Sequence, residues 1–97
     1  FLSGAAIFLE VFMETRVAVM SIIVEKGDMV EKLNSILHEA GEYIIGRMGI
    51  PYRARNIKII SIAIDAPQDM ISALSGKIGR LDGVSVKTAY SGVISND

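Results

Sequence analysis

Hydrophobic and polar positions follow two different periods along this chain, and the changes of period predict its secondary structure. The segments Arg16–Val24, Ile57–Asp65 and Val84–Tyr90 are short and rich in β-branched residues, which is typical of strands. Between these segments, apolar residues recur every three or four positions, as on one face of a helix. They are Val30, Leu33, Ile36, Leu37 and Ala40 in the first stretch, and Met70, Ile71, Leu74, Ile78 and Leu81 in the second.

Polar residues and a glycine set the expected ends of the first helix. Asp28, with Glu31 three positions later, predicts a capping box at the start of the helix. Gly41 is expected to end it in a left-handed conformation. The first helix is therefore predicted over Met29–Ala40.

The second helix repeats this logic and is preceded by one more strand. Asp65 and Gln68 predict a second capping box, and Gly83 is expected to end the helix. A strand weakened by two glycines is predicted over Glu42–Ile50, with the polar connection Pro51–Asn56 behind it. The resulting order of elements is βαββαβ.

This order predicts an α+β fold, a ferredoxin-like sandwich with a four-stranded antiparallel sheet and two helices on one face. Right-handed crossovers place the first and third strands at the centre. Both central strands are apolar on both faces, so the face without helices needs a cover. We expect another subunit to cover it, giving a homo-oligomer, a dimer or a tetramer, through Val17, Val19, Ile23, Ile57, Ile59 and Ala63. The alternative cover is the apolar segment 1–12, folded back across this face.

Composition narrows the classes of function. The chain has 97 residues, 51% of them hydrophobic, and a net charge of −1, which gives no general attraction to nucleic acid or to a membrane. The sequence has no cysteine, which excludes disulfides and thiolate metal sites and fits a cytoplasmic location. Residues 1–12 lack the basic start of a signal peptide. We expect them to be an extension outside a single domain at 13–97.

Four small residues on the second helix are the next candidates. The run Gly76-Lys77 fails the P-loop pattern, because Ile71 and Ile78 stand where glycine and serine or threonine are needed. At 100° per residue the small side chains share one side of the helix, and we expect a close contact there with another subunit or a small ligand. The alternative is a frayed helix end. The residues are Ser72, Ser75, Gly76 and Gly79.

The chemistry of catalysis and metal binding is not recognisable in this sequence. No triad or carboxylate pair suggests an enzyme, and His38 is a lone histidine, so neither a metal nor a cofactor is expected. The predicted central strands also lack the aromatic residues on which RNA-binding split βαβ domains stack bases, which argues against direct binding of nucleic acid.

The run from Arg47 to Thr88, and above all "ALSGKIGRLDGVSVKT", resembles a family of iron-only hydrogenase system regulators. These are small ACT-like proteins, similar in fold to the ligand-binding half of the nickel-responsive repressor. The resemblance extends from about Met13 to Tyr90. It implies an ACT-like domain that oligomerises and has a regulatory, non-enzymatic role, without the nickel ligands or the DNA-binding arm of the repressor.

The resemblance also points to a ligand site. ACT-like domains hold effectors between subunits near the turn after the first strand, which corresponds here to Lys26, Gly27 and Asp28. A simple turn with a helix cap is the alternative for these residues. For the whole chain, the alternative to a ligand-sensing module is a protein–protein adaptor that binds no small molecule.

Overall fold

The computed structural model describes residues 14–92, so the prediction about segment 1–12 and the domain bounds at 13 and 97 lie outside the described residues. Its elements are β1 (Arg16–Val24), α1 (Val30–Glu39), β2 (Ile44–Tyr52), β3 (Ile57–Ala66), α2 (Gln68–Gly79) and β4 (Val84–Tyr90). The strands form one sheet in the order β2-β3-β1-β4, and all neighbouring strands are antiparallel. The predicted ferredoxin-like arrangement, with β1 and β3 at the centre, is confirmed.

The core lies between the sheet and the two helices. Alternate residues of β1 and β3 point into it, because successive side chains of a strand face opposite sides of the sheet. Leu33 and Leu37 of α1 are buried four residues apart, and α2 buries Ile71, Leu74 and Ile78 at helical spacing. The sheet contributes Ala18, Met20, Ile22 and Val24 from β1, and Ile60, Ile62, Ile64 and Ala66 from β3. The helices thereby cover one face of the sheet and leave the other face open.

Both predicted capping boxes are wrong. Helix α1 starts after a short 3-10 turn at Gly27–Met29, and its N-cap residue Met29 makes no side-chain hydrogen bond. Asp65 lies in β3, where it pairs with Val17 of β1. Helix α2 begins after Pro67 instead. The strand ladder continues past the position where local spacing would begin a helix, because pairing with β1 satisfies its backbone groups.

Glycines end the helices differently from the prediction. Gly41 lies in a second 3-10 turn, and among the glycines of residues 14–92 only Gly83 has a positive φ, of 73°. Helix α2 ends at Gly79, so Gly83 closes the following turn and not the helix itself. Strand β2 is displaced toward the C-terminus relative to the prediction and has a bulge between Ile44 and Gly46.

Candidate functional site

The sheet face away from the helices, called the open face below, carries most of the exposed large hydrophobic side chains among residues 14–92. It carries seven of the nine large hydrophobic side chains that are exposed, each at 39–58% of its maximal area. These are Val17, Val19 and Ile23 of β1, Ile59 of β3, and Met48, Ile50 and Tyr52 of β2. Exposed apolar surface concentrated on one face is typical of an interaction site.

The strand register arranges the open face in rows that cross the sheet. Directly opposite residues of antiparallel strands share a face, so each row can be read from β2 to β4. The rows are Gly46-Ala63-Val19-Ala89, then Met48-Ser61-Ser21-Lys87, then Ile50-Ile59-Ile23-Ser85. The middle row is polar at its centre, and both rows beside it are apolar in their two central strands.

The six residues predicted for the interface share this open face. Val17, Val19, Ile23 and Ile59 are exposed, whereas Ile57 and Ala63 are half-buried. Sequence reasoning missed the contribution of β2, because the glycines there suggested a weak strand that ends at Ile50. The alternation Met48-Gly49-Ile50-Pro51-Tyr52 carried the missing signal, since it puts the three large side chains on one face.

The turn after β1, predicted as a ligand site, is tied to the turn before β4. Lys26 Nζ forms an ion pair with Asp82 Oδ2, although both side chains remain more than half exposed. The hydrogen bond and charge of Lys26 hold the pKa of Asp82 below its ordinary value, and Asp82 raises the pKa of Lys26 by the same interactions. Gly27 and Asp28 are exposed, and a Cβ at Gly27 would meet open space. Lys26, one of the three residues of the predicted ligand turn, is therefore already paired within this chain.

The four small residues of α2 have different neighbours within this chain. A Cβ at Gly79 would lie 3.6 Å from Val86 Cγ1 on β4, and one at Gly76 would lie 3.3 Å from Arg80 Nη1. Ser72 accepts a hydrogen bond of 3.2 Å from Gln68 Nε2, while Ser75 is half-buried. A methyl group at Gly79 thus fits against this chain's own strand.

A polar cluster that the sequence did not reveal joins the start of β1 to the end of β4. Arg16 Nη1 donates to Gln68 Oε1 at 3.0 Å, and Gln68 Nε2 donates to the Tyr90 hydroxyl at 2.7 Å. The Arg16 guanidinium also lies 4.4 Å from the centre of the Tyr90 ring. Residues that are 74 positions apart in sequence meet only in the folded sheet, so no local pattern could have indicated this cluster.

A cavity of about 490 Å³ lies between α1 and α2 on the other side of the molecule. Ile36, Tyr43, Met70 and Leu74 give it apolar walls, and the charged side chains at its edge are Glu39, Asp69 and Lys77. Lys77 Nζ is 3.9 Å from Glu39 Oε2. Its volume falls in the range of small-molecule sites.

Residues 14–92 contain neither a metal-ligand cluster nor a membrane-spanning helix. No three His, Cys, Asp or Glu side chains group as metal ligands in that part of the chain, where His38 is exposed. The helices described there lack the length and the apolar character that a membrane-spanning helix needs.

Comparison with known proteins gives one family. Residues 16–88 match the TM1266-like family, which is described, provisionally, as an iron-only hydrogenase system regulator. The structure is similar to that of the uncharacterized protein TM1266 from Thermotoga maritima, with 37% sequence identity and a TM-score of 0.77. That alignment covers 79% of this chain and 98% of the other.

A more distant structural likeness shows the fold alone. A formyltetrahydrofolate deformylase from Pseudomonas putida KT2440 aligns with a TM-score of 0.57 at 11% identity, over 75% of this chain and 28% of the deformylase. No curated protein sequence matches this chain.

Proposed function

This chain belongs to the TM1266-like family of iron-only hydrogenase system regulators, and from that premise we propose that it works as a homo-oligomer assembled through the open face. The observation that carries the proposal is the concentration of exposed large hydrophobic side chains on this one face. Covering such a face removes apolar surface from water, which stabilises an assembly by roughly 25 cal/mol per Å² before the costs of association. A regulator built this way transmits a signal through contacts between its subunits.

Charged substitutions on the open face test the assembly. Val19→Asp and Ile59→Asp each place a carboxylate in the apolar rows, so light scattering should find smaller particles than for the parent chain. Ser35→Asp is the matched control, because Ser35 is exposed on α1 in the helix layer. Its assembly should not change.

The parent protein supplies the decisive comparison. Light scattering should find a dimer or tetramer both for the full chain and for a chain that starts at Met13. If both are monomeric, assembly through the open face is wrong. If only the shortened chain assembles, segment 1–12 blocks the face in the full chain and the proposal fails for the full chain.

We further propose that the regulator responds to a small ligand. Two places support this proposal: the turn Lys26-Gly27-Asp28, which the resemblance indicates, and the cavity between α1 and α2, whose volume of about 490 Å³ suits a small molecule. A compound that binds only the folded chain must raise its melting temperature. A thermal-shift screen of amino acids, nucleotides and metal ions should therefore find a stabilising compound.

Backbone amide shifts would separate the two places. A ligand at the turn should move the signals of residues 25–31, whereas a ligand in the cavity should move those of Ala40, Tyr43 and Ala73. A screen without any stabilising compound would favour a protein–protein adaptor that binds no small molecule.

A further inference from the structure

The cavity between α1 and α2 combines apolar walls with an aromatic ring. Tyr43 lines it from the turn after α1, and this side chain is half-buried. The face of a tyrosine ring attracts a cation that lies within about 6 Å of the ring centre. The other apolar residues of the lining are Ile36, Ala40, Pro67, Met70, Ala73 and Leu74. Such walls suit the hydrocarbon part of a ligand, because its burial removes apolar surface from water.

The charged side chains of the lining leave one negative charge in excess. They are the carboxylates of Glu39 and Asp69 and the ammonium group of Lys77. Lys77 Nζ is 3.9 Å from Glu39 Oε2, so these two charges largely offset each other. Within residues 14–92, Asp69 forms no ion pair. An excess negative charge at the cavity favours a positively charged ligand.

The chain segments that form the cavity carry further acidic residues. Glu42 precedes Tyr43, Asp65 lies two residues before Pro67, and both acidic side chains are exposed. No lysine or arginine occurs between Lys58 and Lys77 in the sequence. These charges disfavour an anionic ligand in the cavity and add to the attraction for a cation.

We propose that the cavity between α1 and α2 binds an organic cation, a ligand with an ammonium group on an apolar hydrocarbon body. This inference rests on the proposed response to a small ligand, and it assigns the ligand to the cavity and not to the turn Lys26-Gly27-Asp28. The hydrocarbon body packs on Met70 and Leu74. The ammonium group meets the Tyr43 ring and the Asp69 carboxylate.

Four probes with matched parts test the class of ligand. Phenethylamine carries both the cation and the apolar body, phenethyl alcohol lacks the charge, phenylacetate carries the opposite charge, and ethylamine lacks the ring. Each is titrated against the labelled full chain, and the backbone amide shifts of Ala40, Tyr43 and Ala73 give its dissociation constant. Phenethylamine should bind most tightly, about two- to five-fold more tightly than the alcohol, which is the range that one exposed charge pair supplies.

Two variants locate the groups that hold the cation. Asp69→Asn should remove most of the preference for phenethylamine over phenethyl alcohol, while the affinity for the alcohol stays the same. Glu31→Gln is the matched control, because Glu31 is an exposed carboxylate in the first turn of α1 and does not line the cavity. Tyr43→Leu should also weaken the binding of phenethylamine, whereas Tyr43→Phe should not, because it keeps the aromatic face. If Tyr43→Leu fails to fold, the exposed Asp69 still provides the test.

The contrary outcomes are distinct. Equal binding of phenethylamine and the alcohol, or tighter binding of phenylacetate, would overturn the organic cation, while a response to a small ligand would remain. Amide shifts confined to residues 25–31 would overturn the cavity as the site. If the chain that starts at Met13 binds phenethylamine and the full chain does not, segment 1–12 occupies the cavity and the proposal is wrong for the full chain. If the thermal-shift screen also finds no stabilising compound, the proposed ligand response fails together with its ligand class.

Discussion

Lys26 and Asp82 form an ion pair between two turns that are 56 residues apart in sequence. The pair ties the turn after β1 to the turn before β4 at one end of the sheet. The backbone reinforces this tie, because the Glu25 amide donates to the Gly83 carbonyl at 2.7 Å. A lysine that sequence reasoning assigned to a ligand thus has a structural partner within its own chain.

The ion pair predicts a pH dependence of stability, which Asp82→Asn tests. The pKa of Asp82 is below 3.8, so its contribution is present above that pH and is lost as the pH falls through the lowered pKa. The pKa of Lys26 is above 10.5, so its contribution is present below that pH and is lost as the pH rises through the raised pKa. Melting temperatures should show Asp82→Asn as slightly less stable than the parent between these limits only.

Salt provides the control for this prediction. Exposed charges are screened at about 1 M salt, where the Debye length is about 3 Å, so the difference between the two proteins should shrink. A difference that stays constant from acid to alkaline pH and in high salt would show that the charge pair is not its cause.

Gly83→Ala should destabilise the fold by about 1–2 kcal/mol, because Gly83 has a φ of 73° that disfavours side chains. The new Cβ would also lie 2.6 Å from Lys26 Cγ. Urea unfolding measures the loss, and in a chain that already carries Lys26→Ala the same Gly83→Ala change should cost less, because Lys26 Cγ and Cδ are gone. Gly27→Ala is the matched control, since its Cβ meets open space. Equal losses at the two glycines would contradict this explanation.

The sequence predicted the bounds of two strands better than the starts of the helices. Strands β1 and β4 have the predicted bounds, because alternation or β-branched runs define a strand along its whole length. The predicted helix caps at Asp28 and Asp65 are wrong. A side-chain cap is inferred from neighbouring residues alone, and tertiary contacts override that local preference. Pairing of Asp65 with Val17 extends β3 through the residue that was expected to begin a helix.

The candidate site shows the same limit. The faces of β1 and β3 were read correctly, so the six predicted open-face residues do lie together. The ion pair of Lys26 and the cluster around Gln68 were missed, because each joins residues that are distant in sequence. Which small residues of α2 have room for a methyl group also depends on the neighbouring strand.

Gly79→Ala should stabilise the chain by up to about 1 kcal/mol, because alanine is the better helix former and its Cβ would make an ordinary contact with Val86. Urea unfolding would measure the gain, and a loss of stability would contradict it.

Gly76→Leu should instead disturb assembly or ligand response if another subunit or a ligand contacts this side of α2. Lys77→Ala should change assembly and ligand response little, since the ion pair of Lys77 with Glu39 is exposed.

The hydrogen bond between Gln68 and Tyr90 should contribute about 0.5–1.5 kcal/mol to stability, the usual net range for such a bond. Tyr90→Phe removes the hydroxyl but keeps the ring that lies beside the Arg16 guanidinium. Gln68→Ala removes the donor and also frees Arg16 from its 3.0 Å contact. The double variant should lose less stability than the sum of the two single losses, because each single change already breaks the same bond. Urea unfolding of the four proteins gives this coupling, and strictly additive losses would mean that the bond contributes nothing to holding the end of β4 against α2.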